Sequence, residues 1–232
     1  FDFSLAEKTM QDKNAKPATY EQRKFLKKYG KQVGPLQTAP PRIDNRPALD
    51  ASPLLEEYER LTARFDDQLG VGEGQPCCGR GASDCCRQPF DLLLIESMHL
   101  SQAINRRLKQ EQRQAVIERA FALAAKLKAL HHQRPGLGAE ALSKAFPEES
   151  LQCPLLEDDH CLVFADRPPR CRYWDAGGRE EQQETLAHIL ADLSRQAYQT
   201  LTGCAPPADN LRFSSADTIS GKFVQLYFQA MT

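Results

Sequence analysis

No stretch of this sequence approaches the roughly 18 to 20 consecutive apolar residues that a membrane-crossing helix needs. The aliphatic run Leu92 to Ile95 is closed off by Asp91 and Glu96. An excess of one charge is missing too. The 30 lysines and arginines nearly match the 31 aspartates and glutamates, leaving a net charge of −1. That balance removes the electrostatic reason to expect general nucleic-acid binding. There is no internal repeat, and no serine–histidine–aspartate arrangement can be argued from the order of residues. Cysteine pairs separated by two residues, the mark of zinc ribbons, do not occur. The sequence as given starts at Phe1, so a trimmed or processed start is the expectation, and no signal peptide is visible.

What is present in quantity is cysteine, eight in 232 residues. Cys77-Cys78 and Cys85-Cys86 are two adjacent pairs in a glycine-rich stretch, followed by Cys153, Cys161, Cys171 and Cys204. A structural cysteine behaves as a small hydrophobe and gains nothing from a neighbour of its own kind. Clustering therefore points to metal ligation, redox chemistry or disulfides. Four disulfides in a secreted protein would use all eight. Disulfide-rich scaffolds are usually small and loop-rich, however, whereas 41% of this chain is hydrophobic, enough for a sizeable core. The expectation is a reduced, cytoplasmic metal protein.

Residues 1–34 read as a basic helical arm, with Arg23, Lys24, Lys27, Lys28 and Lys31 close together, suited to a protein partner or to a solvated face. Residues 35–53, with five prolines, read as an extended linker. A helical cysteine-cluster domain, 54–232, follows. Ser52-Pro53 starts its first helix, serine as cap and proline in the first turn. That helix buries Leu54, Leu55, Tyr58, Leu61 and Phe65 and runs to about Leu69. Pro89 opens a second helix to about Lys109, with Leu92, Ile95, Leu100, Ile104 and Leu108 inward. A third, possible as its continuation, spans about Gln112 to His132 and stops at Arg134-Pro135-Gly136. Residues 147–178 read as irregular, with only Cys161 to Ala165 able to pair as a short strand. Glu180 to Leu201 is an amphipathic helix ended by Gly203, and Ile219 to Met231 one further short helix. The fold class is mainly α, with irregular cysteine-rich metal-binding loops and little or no sheet.

A thiolate is both ligand and nucleophile, so ionisation decides what these residues can do. The helix expected at Pro89 would turn its positive end toward Cys85 and Cys86, and Arg87 adds a cation. Arg170 and Arg172 flank Cys171. Glycines 70, 72, 74, 79 and 81 allow tight turns about a centre. The same stretch is a weak match to a phosphate loop, lacking a preceding strand and a following helix. Four cysteines suit zinc or an iron–sulfur cluster equally, and the missing ribbon spacing favours the cluster. His160, His131-His132 and the acidic run Glu157-Asp158-Asp159 are lesser metal candidates, better read as surface residues. Tyr173 and Trp174 are core fillers or shields for a centre.

The second block carries a resemblance. Cys153-Pro154, then Cys161-Leu162-Val163-Phe164, then Arg167-Pro168-Pro169-Arg170-Cys171-Arg172 resembles the bacterial cysteine-cluster family of the YkgJ type, described as a zinc- or iron-chelating domain. Phe164 stands where tyrosine is usual. In the family pattern, CxxCxxCC, the first block closes on an adjacent pair, which Cys85-Cys86 matches. Cys77-Cys78 departs from it, with six residues intervening before the closing pair. Cys204 is set against a further downstream cysteine. The resemblance covers about residues 75–175. It implies metal ligands at Cys77, Cys78, Cys85, Cys86, Cys153, Cys161, Cys171 and Cys204. Some relatives resemble iron–sulfur oxidoreductases, and the domain also occurs in flagellin lysine methylases. No S-adenosylmethionine site is visible here.

The expected function is iron binding, as an iron–sulfur cluster, in a redox, electron-transfer or accessory role, whether as an oxidoreductase or as a subunit serving one. The alternative is a zinc-binding structural or interaction module without catalysis, its basic arm and linker forming the working surface.

Overall fold

The apolar spacing of the helices survives in three dimensions, while the segments between them are rebuilt by long-range pairing. The computed structural model describes residues 50–69, 83–174 and 180–230, which lie in one unit running from Ala48 to Thr232. The basic arm 1–34, the linker up to residue 49, Cys77, Cys78 and the glycines of 70–81 lie outside the described residues.

Helix α1 is Ser52–Leu69. Its capping side chain is Asp50, two residues earlier than the serine expected. The Ser52 N–H donates to the Asp50 carboxylate at 2.9 Å, satisfying a helix donor that has no partner of its own. Hydrogen bonds from the Ser52 side chain and backbone hold the Asp50 carboxyl below its ordinary range. Tyr58, Leu61 and Phe65 face inward as their spacing requires.

Pro89 does not open a helix. Asp91–Leu93 is a strand, β1, paired antiparallel with Arg212–Ser214 near the other end of the unit, Leu92 opposite Phe213 and Leu93 opposite Arg212. Helix α2 begins only at Leu94 and ends at Arg107. The apolar run from Leu92 to Ile95 has no periodicity of its own, so the partner strand decides its conformation. Leu108 and Lys109 are extended, and α3, Gln110–Gln133, is a separate helix. Gly136, at φ +79°, follows it. A further helix, α4, Ala139–Glu148, carries Pro147 in its last turn and had no sequence expectation.

The second cysteine block is less irregular than expected. Leu156–Glu157 (β2) and His160–Cys161 (β3) form a hairpin with Leu156 opposite Cys161. The expected strand from Cys161 to Ala165 therefore ends at Cys161, and Phe164–Asp166 is a 3-10 turn. A single helical turn, α5, spans Pro169–Arg172. Helix α6, Glu180–Thr202, is followed by Gly203 at φ +69°, a conformation that suits glycine. After β4 (Arg212–Ser214) come α7, Ser215–Ile219, and α8, Phe223–Gln229, parted by Gly221 at φ +78°. The tail is thus a strand and two short helices where one helix was expected. With 68% helix, 6% strand and two two-stranded sheets among the described residues, the class is mainly α.

Helix α2 is the axis of two apolar clusters. On one side Leu94 and Ile95 pack with Tyr58, Leu186, Leu193 and Tyr227 from α1, α6 and α8. On the other Leu100 and Ile104 pack with Val116 and Ala120 of α3 and with the cysteines. Each fully buried aliphatic side chain contributes about 1.5–3 kcal/mol relative to exposure. Glu96 is buried at the start of α2, where its Oε2 accepts the Leu93 N–H at 2.9 Å. Burial drives its carboxyl up from 4.5 to about 7, against the opposing pull of that hydrogen bond and of Arg212 and Arg170.

Two outcomes follow for stability. Ile95→Ala should cost about 2–5 kcal/mol in urea unfolding, and the exposed Phe121→Ala less than about 0.5 kcal/mol. The raised Glu96 pKa means that the folded state binds its proton more tightly than the unfolded chain. Its contribution is fully present below pH 4.5 and lost as pH rises through about 7. Unfolding free energy compared at pH about 5 and about 8 should show a loss on the order of 3 kcal/mol that Glu96→Gln largely removes.

Candidate metal centre

Five cysteines meet on the α2–α3 side of the core. Cys85, Cys86, Cys153 and Cys171 are buried, and Cys161 is half-buried against the same cluster. The first block enters through a 3-10 turn, Asp84–Arg87, closed by the Cys86 N–H donating to the Ser83 carbonyl at 2.9 Å. Extended chain and β1 follow, so the helix terminus expected to steady these thiolates is not adjacent to them. The Cys86 carbonyl accepts the Cys153 N–H at 2.7 Å, which docks the second block on the first. The Cys85 and Cys86 sulfurs are 3.9 Å apart.

The second block is fastened from three helices. Arg119 of α3 donates to the Pro154 carbonyl at 2.9 Å. Arg107 of α2 holds the buried Asp166 carboxylate at 2.8 Å, with Arg106 at 3.3 Å. Asp66 of α1 pairs with Arg172 at 2.5 Å. The hairpin turn is Asp158-Asp159, both at positive φ (48° and 58°) as a two-residue turn of this hand requires. That conformation accounts for the acidic run without a cation. His160 is exposed and directs Nδ1 to the Asp158 carbonyl at 2.6 Å, and His131 and His132 are exposed on α3.

The cation that serves the thiols is Arg167. It is buried, donates to the Phe164 carbonyl at 3.0 Å and to the Cys171 carbonyl at 3.4 Å, and stacks on the Phe164 ring at 3.8 Å. Its charge favours the thiolates of Cys86, Cys161 and Cys171. Sequence reasoning placed that role on Arg170 and Arg172, their neighbours in the chain. Arg172 is instead engaged by Asp66 and by the carbonyls of Arg167 and Ala165. Arg170 is exposed. The signal for Arg167 was its place in the arginine–proline motif, between an aromatic residue and a cysteine.

The thiols differ. A hydrogen bond from Cys153, and then Arg167 and Arg87, hold the Cys86 thiol below its ordinary range. Its partner Cys153 is driven up by the same bond and by burial. Burial pushes Cys161 up to about 11 and Cys171 further up. Among these thiols Cys86 is thus the one whose surroundings ease ionisation, while Cys153, Cys161 and Cys171 are pushed toward their neutral forms.

Cys86, Cys153, Cys161 and Cys171 are free thiols, whereas Cys85 is in a disulfide. With five free cysteines, a scaffold of four disulfides is excluded. Cys204 is free but elsewhere, exposed after α6 with its sulfur 3.7 Å from the Thr202 carbonyl. Cys77 and Cys78 lie outside the described residues. Among the described residues, no three Cys, His, Asp or Glu side chains converge closely enough to hold one ion. The four thiols fit a soft metal in type and number. Their sulfurs would have to draw together to ligate it. Tyr173 is buried, its hydroxyl donating to the Thr62 carbonyl at 3.3 Å, and belongs to the other core cluster; Trp174 is partly exposed.

Fold and site together define a mainly helical protein with thiols gathered in an apolar core around one buried arginine. Comparison with protein-family models, curated proteins and solved structures finds no match. Among the described residues no helix is long and apolar enough to cross a membrane.

Alkylation of the native protein, mapped by peptide mass, should label Cys204 first. Cys153 and Cys171 should react only after denaturation, because they are buried.

Proposed function

We propose that the chain is a cysteine-ligated metal protein of the kind its second block resembles, holding iron as an iron–sulfur cluster in a redox or electron-transfer role. The observation that carries this reading is the gathering of Cys86, Cys153, Cys161 and Cys171 in one apolar cluster beside the buried Arg167. A bound cluster would supply one-electron chemistry. The chain's own residues would do the rest. The four thiols would surrender their protons on ligation, and Arg167 would offset the accumulated negative charge. Phe90, Leu100 and Val163 would exclude water. Cys85, in a disulfide and buried in the same cluster, would be redox-active sulfur beside the site. A reducing, cytoplasmic setting belongs to this reading, as does service to a larger enzyme.

A second reading is structural zinc. It is favoured by the bond between the Cys86 carbonyl and the Cys153 N–H, since a metal there would cross-link segments that α2 and α3 separate. In that case the metal contributes folding energy and the basic arm would meet the partner.

Anaerobic purification with metal and acid-labile sulfide analysis separates the two. The cluster reading expects iron with sulfide and absorbance near roughly 400 nm that bleaches on reduction. Cys153→Ser and Cys171→Ser should each lose most of the metal, and Cys204→Ser should keep it. Colourless protein with stoichiometric zinc, unfolding on chelation, would establish the second reading. Protein free of both metals would overturn both.

A further inference from the structure

Beside the thiol cluster, on the opposite side of α5, lies a cavity of about 550 Å³ that the metal reading does not use. Its size is that of a small-molecule site, which is typically about 300–1,000 Å³. One part of its wall is apolar, from Leu93 of β1 and Leu186 and Leu190 of α6. Trp174, the single tryptophan of the chain, flanks it and is 37% exposed.

Two guanidinium groups reach the cavity from different elements, Arg170 from α5 and Arg212 from β4. Among the described residues neither is held in an ion pair or a hydrogen bond. Arg106, Arg107, Arg119 and Arg172, by contrast, are each committed to a carboxylate or a carbonyl. A guanidinium is a planar fork of five donors and no acceptor, shaped for two-oxygen anions. The charges of both arginines act on the Glu96 carboxyl, but among the described residues no carboxylate at the site takes either fork in a hydrogen bond or ion pair. Glu96 accepts the Leu93 N–H within the wall, and Asp91 is exposed without an ion pair to either arginine.

We propose that this cavity is a binding site for a small organic acid. Arg170 and Arg212 hold its carboxylate or phosphate group, and its apolar body lies against Leu186, Leu190 and Trp174. The site stands independently of what the thiols bind. Helix α5 gives Cys171 to the thiol cluster and Arg170 to the cavity, so a ligand here is one helical turn from that cluster.

Trp174 makes the test direct. Phenylacetate and phenyl phosphate, which separate carboxylate from phosphate recognition, are titrated against the full chain by tryptophan emission and by calorimetry. Neutral phenylacetamide and inorganic phosphate are the controls. The expected result is saturable binding of at least one acid, no saturable binding of phenylacetamide, and inorganic phosphate weaker than the acid that binds. Arg212→Gln and Arg170→Gln should each weaken that acid by about tenfold or more. Both arginines are exposed, so a retained melting temperature and an unchanged alkylation pattern verify that each variant is folded and that the thiol cluster is untouched. Absence of saturable binding by both methods would overturn the proposal. So would phenylacetamide binding as well as the acids, or acid affinity unchanged in both variants.

Discussion

Everything at the thiol cluster depends on one hydrogen bond, from the Cys153 N–H to the Cys86 carbonyl at 2.7 Å. It joins two loops that α2 and α3 hold apart in sequence, and it lies between two thiols. Backbone donors buried without a partner are costly, so this pairing solves a satisfaction problem while it brings the sulfurs together. The remaining fastenings use charged side chains and come from different helices: a hydrogen bond from Arg119 to the Pro154 carbonyl, and ion pairs of Arg106 and Arg107 with Asp166 and of Asp66 with Arg172. A loop rich in proline, with few backbone donors, is well served by side chains that supply donors to its carbonyls.

The electrostatics follow from burial. Burial drives Cys153, Cys161 and Cys171 toward their neutral forms, and a buried positive charge opposes that drive at Cys161 and Cys171 and eases ionisation of Cys86. Arg167 is that charge. Its stack on Phe164 and its bonds to the Phe164 and Cys171 carbonyls hold it in place beside the thiols, where its charge favours their ionised forms. The aromatic residue at 164 is thus a support for the cation as well as part of a motif.

Helix α5 shows how little chain is needed to build two chemically different sides. Four residues place Cys171 in the thiol core and Arg170 at a cavity, and Arg172 is tied to α1. Neighbours in sequence therefore do three unrelated things, and proximity to a cysteine was a poor guide to which arginine serves it. The same holds for the acidic run at 157–159, whose composition suggests a cation and whose backbone makes a hairpin turn.

By itself the sequence determined the mainly helical class and the inward faces of α1, α2, α3 and α6, because helical spacing is a local signal, whereas the joining of Cys85-Cys86 with Cys153, Cys161 and Cys171 was an expectation carried by the family resemblance alone. It could not show that Leu92 and Leu93 leave the helix for a strand, since the partner, Phe213, is more than a hundred residues away and the apolar run carries no period. Nor could it show α4, whose Pro147 reads as a breaker but is tolerated in a last turn that ends at Glu148. It left Cys204 equal to the other cysteines, and only the tertiary structure sets it apart on the surface. The choice of Arg167 over Arg170 and Arg172, and the cavity between α5, α6 and β4, were likewise decided in three dimensions. Both depend on which way side chains point from the short segment 167–172, and packing against distant elements sets that direction.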